Sequence, residues 1–363
     1  MGAVLEDNEC PFPDVEVVSR ITGTGMNVPD RVIKNEYFEN YLDTSDEWIR
    51  ERTGIVERRW AEADVTVSEL SEPAARTAIS AADLSPSDID GIIFATVTPE
   101  RIFPSSACYL QKRLGIEQCL AFDVNAVCSG FIYALVTADS LIRSGLARNI
   151  LVVGADLYSR ILDMKDRGTC VLFGDGAGAV VLSAVGDSRD SGIPISQGVV
   201  GSGGEIRGIY ANALSANGAY TELLYSDYRS PAPPNANEES FPSRSSDQRY
   251  LSMDGREVFK QAVRKLGEAS KEILAINGFS IEQVDHFVSH QANLRILQAI
   301  GKQLGVSQDK VPVNIDRYGN TSAATIPLLL AEMEQQGTLS AGDLVLLSAF
   351  GSGFTWGVSL LRW

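Results

Sequence analysis

Residues 121–135 read AFDVNAVCSGFIYAL, and this stretch decides the fold. Its first residues are apolar and strand-like, its middle residues are small, and its last residues are apolar at helical spacing. The pattern predicts that Cys128 lies where a strand gives way to a helix. Free backbone N–H groups and the positive end of the helix dipole favour a thiolate there, so we expect Cys128 to be a reactive nucleophile. The alternative is an inert buried cysteine, because cysteine is commonly a small core residue.

The composition is that of a globular protein with one large or two ordinary domains, since the chain has 363 residues and 44% of them are hydrophobic. No apolar run reaches the roughly 18 residues of a membrane span, and we expect no secretory signal in the polar N-terminal residues. A formal net charge of −16 argues against nucleic-acid binding. Five cysteines, an odd number without metal-ligand spacing, predict free thiols in the cytoplasm and no metal site.

Helix and strand patterns alternate from residue 68 onward, and their order repeats. The order of elements over residues 87–153 returns over residues 282–347, although few residues are identical. Alternation of this kind predicts an α/β protein with mostly parallel sheets between helices. We therefore expect two duplicated halves, 16–190 with Cys128 and 191–363 with a long surface loop around 205–250, preceded by a flexible extension at 1–15.

His290 and Asn320 are the candidate partners of Cys128 in the second half. His290 follows the strand-like residues Phe287-Val288-Ser289, and Asn320 takes the place that Cys128 has in the first half. Ligands bind where strands end in such sheets, so the two halves can bring Cys128, His290 and Asn320 together. Two chemistries remain open on these residues alone: a cysteine protease in which histidine is the base, and acyl transfer in which histidine and asparagine bind a second thioester.

Two further patterns suggest binding surfaces. Trp48 and Arg52 lie four residues apart, so they share a helix face and could stack on a purine and contact phosphate. A core tryptophan beside a surface arginine is the alternative. Basic residues stand at i, i+4 and i+8 in Arg256, Lys260 and Arg264, which predicts a basic helix face. The ordinary interpretation of such a face is that it is exposed to solvent.

Several motifs, in order along residues 20–363, resemble those of the β-ketoacyl-[acyl-carrier-protein] synthase III family of the thiolase superfamily. The glycine-rich segment alone would be weak support, but the other motifs in the same order are specific. The motifs are Thr44-Ser45-Asp46-Glu47-Trp48-Ile49, Arg52-Thr53-Gly54-Ile55, Cys128-Ser129-Gly130-Phe131, Phe173-Gly174-Asp175-Gly176-Ala177-Gly178-Ala179, His290-Gln291-Ala292-Asn293-Leu294-Arg295-Ile296, Gly319-Asn320-Thr321-Ser322-Ala323-Ala324 and Phe354-Thr355-Trp356-Gly357.

The resemblance implies a thiolase-like α/β fold with αβαβα layers and a decarboxylative condensation. An acyl-CoA primer and malonyl-[acyl-carrier protein] would give 3-oxoacyl-[acyl-carrier protein], CoA and CO2, initiating fatty acid synthesis. It implies that Cys128 carries the acyl group, that His290 and Asn320 bind the malonyl thioester carbonyl, and that backbone N–H groups of Cys128 and Ser352 hold the oxyanion. Acyl-CoA is then a substrate, no cofactor or metal is expected, and the enzyme is a homodimer.

The resemblance also implies two sets of binding residues. The set for CoA and substrate comprises Thr44, Trp48, Arg52, Phe103 (from the partner subunit), Arg167, Gly255 and Asn293. The set for carrier-protein docking comprises Lys260, Arg264, Arg295 and Lys302. Carrier proteins of this pathway are acidic and this chain carries −16, so docking needs a local basic patch.

Because of two departures from the family pattern, the resemblance does not determine which primer the enzyme prefers. Ser352 interrupts a run of glycines, and residues 1–15 and 205–250 are additional to the pattern. The alternative within the fold is a specialised condensing enzyme with a longer or unusual primer, as in polyketide or secondary-metabolite synthesis. A Cys-His-Asn cysteine protease is the remote alternative, because residues 127–131 lack the papain-like signature.

Overall fold

Helices and strands alternate through the part of the chain that the structure, a computed structural model, describes: residues 18–185, 207–226 and 250–363. The strands are β1 (Val18–Asn27), β2 (Val32–Lys34), β3 (Glu57–Arg59), β4 (Gly91–Ala95), β5 (Leu120–Val124), β6 (Asn149–Leu157), β7 (Asp175–Val185), β8 (Gly208–Ala216), β9 (Leu224–Ser226), β10 (Leu251–Met253), β11 (His286–Ser289), β12 (Leu344–Gly351) and β13 (Thr355–Arg362). The helices are α1 (Glu36–Glu39), α2 (Asp46–Thr53), α3 (Val67–Ala81), α4 (Ser106–Leu114), α5 (Gly130–Arg143), α6 (Gly255–Ile276), α7 (Leu294–Leu304), α8 (Ile315–Tyr318) and α9 (Thr325–Gln335). Short 3-10 turns at Val127–Ser129 and Ser322–Ala324 lead into α5 and α9.

Two large sheets form the framework, and both are mixed. Over the described residues the first has the strand order β1-β7-β6-β4-β5 and the second has the order β11-β12-β13-β8. Parallel pairing joins β4 to β5 and β6 and joins β11 to β12, whereas the other neighbours are antiparallel. Within the described residues, β7 and β13 are the only strands of these sheets that run against the others, so the prediction of mostly parallel sheets is confirmed for strand direction. The described connections 158–174 and 352–354 contain no α-helix to carry the chain back across the sheet, so β7 and β13 run antiparallel to the strands before them.

Helices cover the outer faces of the sheets and fill the space between them. α3 and α4 pack on the outer face of the first sheet, and α6, with α7 beside it, packs on the second. α5 and α9 contact strands of both sheets and form the middle layer. Their buried residues include Phe131, Leu135 and Leu329. These form the central core together with buried residues of both sheets, such as Val345 of β12. This is the αβαβα layering that the sequence led us to expect.

Backbone strain occurs at matched positions just before α5 and α9. Val127 and Ser322 have positive φ angles of 50° and 54°, which are uncommon for residues other than glycine. Each residue begins the 3-10 turn before its helix, so Cys128 is matched by Ala323. Asn320 lies before the second turn, and pairing it with Cys128 from the sequence is therefore wrong.

The region 205–250 is in part regular structure, so the prediction of a long loop is wrong for residues 208–226. β8 pairs with β13 at the edge of the second sheet, a 3-10 turn spans Gly218–Leu223, and β9 pairs with β10. Small and polar residues suit an exposed edge strand, and such a composition resembles that of a loop. Residues 1–17, 186–206 and 227–249 lie outside the described residues, and with them the predicted extension 1–15, the boundary at residue 190 and the rest of the loop.

No helix of the described residues combines the length and the apolar character needed to cross a membrane.

Candidate active site

The three predicted catalytic side chains line one cavity of about 560 Å³, here called the site cavity. Cys128, His290 and Asn320 are 6%, 4% and 5% exposed. The cavity is also lined by exposed residues from the ends of α2, α6 and α7, among them Arg52 and Arg295. It therefore leads from a basic surface to three buried groups that could act on one bond.

The turn that carries Cys128 is held by the far end of β12. A Cβ atom added to Gly351 would lie 3.0 Å from the backbone nitrogen of Cys128, so any larger residue there would press on the turn. Ser129 Oγ and Thr355 Oγ1 lie 2.9 Å apart, and Thr355 Oγ1 donates to the carbonyl oxygen of Ser352 at 2.9 Å. The two halves of the chain thus meet at Cys128.

Cys128 is a thiol rather than a thiolate in this structure, contrary to the expectation from its place before a helix. Burial raises the pKa of the Cys128 thiol to about 12, and hydrogen bonding by Ser322 and Tyr158 offsets only part of this rise. A helix N-terminus contributes roughly 0.3–1 kcal/mol to a nearby anion, which is less than one pKa unit. Desolvation therefore outweighs the helix dipole, and Cys128 needs a base before it can attack.

His290 directly follows β11 and is positioned by Thr325, a residue that the sequence analysis missed. Nδ1 of His290 lies 2.7 Å from Oγ1 of Thr325, whose other neighbour is the carbonyl oxygen of Ser322 at 3.0 Å. Burial lowers the pKa of His290 to about 3, so the ring is neutral. The Thr325 hydroxyl can accept from Nδ1–H or donate to Nδ1, which leaves Nε2 as the ring nitrogen for a substrate. The sequence feature that could have indicated Thr325 is its position: it directly follows the motif 319–324 and is the first residue of α9.

Asn320 presents its amide as a hydrogen-bond donor. Its Oδ1 accepts the backbone N–H of Ser322 at 2.8 Å, so the NH2 group is the half of the amide left for a ligand. Its backbone N–H donates to Leu172 at 2.9 Å, and its carbonyl accepts from Gly174 at 3.0 Å. These bonds fix Asn320 against the first half of the chain. A neutral, fixed donor suits a carbonyl group that gains negative charge.

Trp48 and two arginines form the mouth of the site cavity. The guanidinium groups of Arg52 and Arg167 each lie 4.6 Å from the centroid of the Trp48 ring. Trp48 is half-buried against the core while both arginines are exposed. Arg167 also donates to the carbonyl oxygen of Asp43. An aromatic ring beside exposed guanidinium groups suits a flat base that carries phosphate.

Gly255 and Asn293 line the site cavity, whereas Thr44 is not among its lining residues. Gly255 begins α6 after the capping residue Asp254. Asn293 caps α7 through its Oδ1 and donates from Nδ2 to the carbonyl oxygen of Arg52 at 3.1 Å. The hydroxyl of Thr44 is buried with no hydrogen-bond partner among the described residues. The structure thus brings Gly255 and Asn293 to the cavity and leaves Thr44 outside its lining.

Ser352 and Phe103 are likewise not among the residues that line the site cavity. Ser352 lines a second cavity, of about 380 Å³, together with Asn125 and Val127. The positive φ in the turn after β12 falls on Gly353, at 125°, so a serine at 352 brings no left-handed strain. The Phe103 side chain is 80% exposed, so the role expected for it requires a partner subunit.

The predicted docking residues occupy two different places. Lys260 and Arg264 are exposed on α6, and Lys302 is exposed on α7, which packs beside α6. Arg295, by contrast, lines the site cavity and donates from Nε to the carbonyl oxygen of Glu51 at 3.0 Å. Arg295 therefore belongs with the residues of the cavity mouth more than with the helix surface.

Alkylation of Cys128 by iodoacetamide is expected to accelerate with pH and to reach no plateau below about pH 10, because only the thiolate reacts and a raised pKa delays its formation. His290 stays neutral above about pH 3, so no inflection is expected near pH 6.5. Timed labelling at a series of pH values, read by mass spectrometry of the Cys128 peptide, measures the profile. A plateau at about pH 7–8 would show that the thiol is activated in the resting enzyme.

Two family models and a relative that match this chain share one description. A family model described as 3-oxoacyl-[acyl-carrier-protein (ACP)] synthase III matches residues 122–202, and a model of the C-terminal part of this synthase matches residues 274–363. A β-ketoacyl-[acyl-carrier-protein] synthase III from a Chelativorans species is 48% identical over 345 residues, which cover 95% of this chain and 99% of the relative.

Solved structures agree with these relatives. The crystal structure of 3-oxoacyl-[acyl-carrier-protein] synthase III from Aquifex aeolicus superposes with a TM-score of 0.82 at 43% identity, covering 95% of this chain and 100% of that one. A priming β-ketosynthase from a polyketide biosynthetic pathway superposes with a TM-score of 0.81 at 31% identity, covering 95% of this chain and 96% of that one. The thiolase-like α/β fold expected from the sequence is thereby confirmed.

Proposed function

Because the chain belongs to the β-ketoacyl-[acyl-carrier-protein] synthase III family of acyltransferases, we propose that its site cavity condenses an acyl group held on Cys128 with a malonyl thioester. Enzymes of this family use acyl-CoA and malonyl-[acyl-carrier protein] in the condensation that initiates fatty acid synthesis, and the products are 3-oxoacyl-[acyl-carrier protein], CoA and CO2. The observation that carries the proposal is the convergence of Cys128, His290 and Asn320, all buried, in a cavity with an aromatic and basic mouth.

We assign the mouth residues to CoA. In this assignment the Trp48 ring stacks on the adenine, Arg52 and Arg167 pair with the phosphates, and the pantetheine arm passes Gly255 and Asn293 on its way inward. All of these residues line the site cavity. A charged mouth that leads to a buried thiol suits a molecule with a nucleotide at one end and a thioester at the other.

Transfer of the primer requires deprotonation of Cys128. With Nε2 unprotonated, His290 accepts the thiol proton, the sulfur attacks the thioester carbonyl, and the bond to CoA breaks. The leaving CoA thiolate takes the proton from Nε2, so the ring is neutral again. The carbonyl oxygen becomes an oxyanion in the tetrahedral intermediate, and the backbone N–H groups of Cys128 and Ser352 are the proposed donors. The close packing of Gly351 on the Cys128 turn supports this pair of donors.

Decarboxylation needs donors on the malonyl thioester carbonyl. The NH2 group of Asn320 is one, and Nε2–H of His290 is the other when the Thr325 hydroxyl donates to Nδ1. Loss of CO2 leaves an enolate, which attacks the acyl carbon on Cys128. The carbon–sulfur bond then breaks, and the released thiolate regains a proton from solvent. Donors aimed at such an oxygen in a water-poor cavity contribute roughly 3–4 kcal/mol each.

The second cavity is the proposed place of the primer chain and is called the primer cavity below. It is lined by Val127, which directly precedes Cys128, and by Ser352, so it lies beside both proposed oxyanion donors. Leu224 lines both cavities, so the two adjoin. Leu224 and Leu251 lie close to the two ends of residues 227–249, which supports the expectation that the 205–250 region shapes primer preference. The part between these ends lies outside the described residues.

We propose a homodimer that forms along β5. β5 is an edge strand of the first sheet with an exposed Leu120, and Ile102 and Phe103 expose 72% and 80% of their side chains in the connection before α4. Unpaired strand edges and exposed apolar side chains are typical of interfaces. Phe103 of the partner subunit would then close the primer cavity. Light scattering is expected to give twice the mass of one chain, and a stable monomer would contradict the dimer.

The proposed function is tested by incubation with a series of acyl-CoAs, first alone and then with malonyl-[acyl-carrier protein]. We expect one acyl mass on the protein in the first case, and CO2 with 3-oxoacyl-[acyl-carrier protein] in the second. Absence of acylation, or acylation without condensation, would contradict the proposal. The primer with the highest activity distinguishes initiation of fatty acid synthesis from a specialised pathway. We favour initiation, because the chain is 48% identical to a synthase III and 31% identical to the priming ketosynthase. The cysteine protease alternative has no support among these relatives.

Charge reversal at Lys260 is expected to lower kcat/KM for malonyl-[acyl-carrier protein] by about tenfold at low salt and by less at high salt, because an acidic partner is steered by local charge. Acylation by acyl-CoA is expected to persist. Lys271→Glu is the matched control for Lys260→Glu, because Lys271 is exposed further along α6 and its reversal changes the net charge equally. Equal losses in both variants would mean that overall charge, and not this patch, is responsible.

We also propose a cytoplasmic location and a reaction without metal or cofactor. Cys108, Cys119, Cys128 and Cys170 are free thiols among the described residues, which supports a reducing compartment. Acyl transfer between thioesters needs only a thiol, a base and hydrogen-bond donors, and the site cavity supplies all three.

A further inference from the structure

Tyr158 is a buried tyrosine beside the nucleophile that the mechanism above does not use. It follows β6 as the first residue of the 3-10 turn Tyr158–Arg160 and is 2% exposed. Its ring stacks on Phe173, with centroids 4.6 Å apart and planes 11° from parallel. Phe173 lines the site cavity and Tyr158 lines the primer cavity, so the stacked rings form a partition between the two.

The Tyr158 ring is held in place from its backbone. The neighbouring Ser159 donates from its N–H and its Oγ to the Asp175 carboxylate at 2.9 and 2.6 Å. The carbonyl oxygen of Tyr158 accepts from Ile161 at 3.0 Å, and the carbonyl oxygen of Ile161 accepts from Leu251 at 2.9 Å. A side chain that is stacked, buried and anchored in this way cannot move aside without repacking its surroundings. The ring is therefore a fixed wall of the primer cavity.

The same side chain lies next to Cys128. Phe173, on which the Tyr158 ring stacks, lines the site cavity together with Cys128, and burial raises the pKa of the Cys128 thiol and of the Tyr158 hydroxyl. Val127, directly before Cys128 in the chain, lines the primer cavity together with Tyr158. An acyl chain on Cys128 therefore starts beside the Tyr158 ring and has to pass it.

We propose that Tyr158 is a specificity-determining residue that limits the primer to short acyl chains. This inference rests on the proposed function, since it concerns the acyl group carried by Cys128. Apolar residues such as Val97, Ile161 and Leu251 line the same cavity, so burial favours an apolar chain there. The Tyr158 ring bounds this cavity, and a rigid wall excludes further carbons of the chain that would overlap with it.

The test compares Tyr158→Leu with the wild-type enzyme over straight-chain primers from acetyl-CoA to decanoyl-CoA. Acylation of Cys128 is followed by mass spectrometry, and kcat/KM is measured for each primer. We expect the ratio of kcat/KM for octanoyl-CoA to that for acetyl-CoA to rise about tenfold or more in Tyr158→Leu. Tyr158→Phe keeps the ring and is expected to keep the wild-type ratio. Tyr210→Leu is the matched control, because Tyr210 packs on Phe279 at 5.6 Å and is not among the lining residues of either cavity.

Tyr158→Met supplies a second shortened side chain if the leucine variant does not fold, as judged by circular dichroism. The inference is overturned if a folded leucine or methionine variant keeps the wild-type ratio. It is also overturned if Tyr158→Phe shifts the ratio as much as Tyr158→Leu, because the hydroxyl and not the ring would then set the limit. Failure of the proposed function looks different, since the wild-type protein would then be acylated by none of the primers.

Discussion

Replacing Cys128 with alanine is expected to remove acylation by acyl-CoA and to lower condensation by about 10⁴-fold or more. The reason is that the covalent route depends on a single sulfur atom at the junction of the site cavity and the primer cavity. His290 and Asn320 remain in place in this variant, so it should still bind the malonyl thioester. Any residual product would then measure what binding and hydrogen bonding achieve without the nucleophile.

Mass spectrometry of the intact protein and of its peptides measures this result. Cys108→Ala and Cys170→Ala are the matched controls for Cys128→Ala. Cys170 is especially informative, because it is buried as Cys128 is and burial raises its pKa to about 11, so its thiol is also protonated at neutral pH. Only Cys128 lines the site cavity, among the cysteines of the described residues. Full acylation of the Cys128→Ala protein, or an acyl mass on Cys108 or Cys170, would refute the assignment.

Replacing Asn320 with alanine is expected to reduce CO2 release from malonyl-[acyl-carrier protein] by roughly 10²–10³-fold, because a fixed donor to the developing enolate oxygen is lost. Acylation of Cys128 by acyl-CoA is expected to persist, since the Asn320 amide serves the malonyl carbonyl and not the primer. His290→Ala, in contrast, is expected to slow both half-reactions, because the ring is the base in the first and a donor in the second.

Asn320→Asp sharpens the test of Asn320→Ala. The aspartate keeps an oxygen for the backbone N–H of Ser322, which holds Oδ1 of Asn320 at 2.8 Å, but it lacks the NH2 group. We expect it to lose decarboxylation as the alanine variant does, and circular dichroism checks that the variant is folded. Release of labelled CO2 and acylation of Cys128 are measured on the same preparations. Loss of acylation with normal CO2 release would mean that Asn320 serves the primer and that the roles are reversed.

The family and the three buried polar side chains that line the site cavity together were all predictable from the sequence. Cys128, His290 and Asn320 each lie in a short motif, and several motifs follow one another in a specific order. Local patterns also predicted the strand-to-helix step at Cys128 and the helix that carries Trp48 and Arg52. Such features depend on residues close together in the chain, which is why reading along the chain finds them.

The protonation state of the nucleophile was predicted wrongly for a physical reason. The helix dipole is a local property and can be read from the Cys128 segment, but desolvation is a sum over all atoms that surround the sulfur. Those atoms come from β12, from the turn before α9 and from Tyr158, which are distant in the chain. Their combined effect on the Cys128 pKa is larger than that of the dipole.

The sequence by itself determined the fold family, the order of the elements and the chemical types of the groups in the site. The tertiary structure decided strand direction in the mixed sheets, the edge strand within residues 208–226, the contact of Thr325 with His290 and the wall that Tyr158 forms beside Cys128. Each of these depends on which distant segments pack together. Side-chain identity and spacing specify local conformation, whereas burial and hydrogen-bond partners exist only once the two halves of the chain have closed around the site cavity.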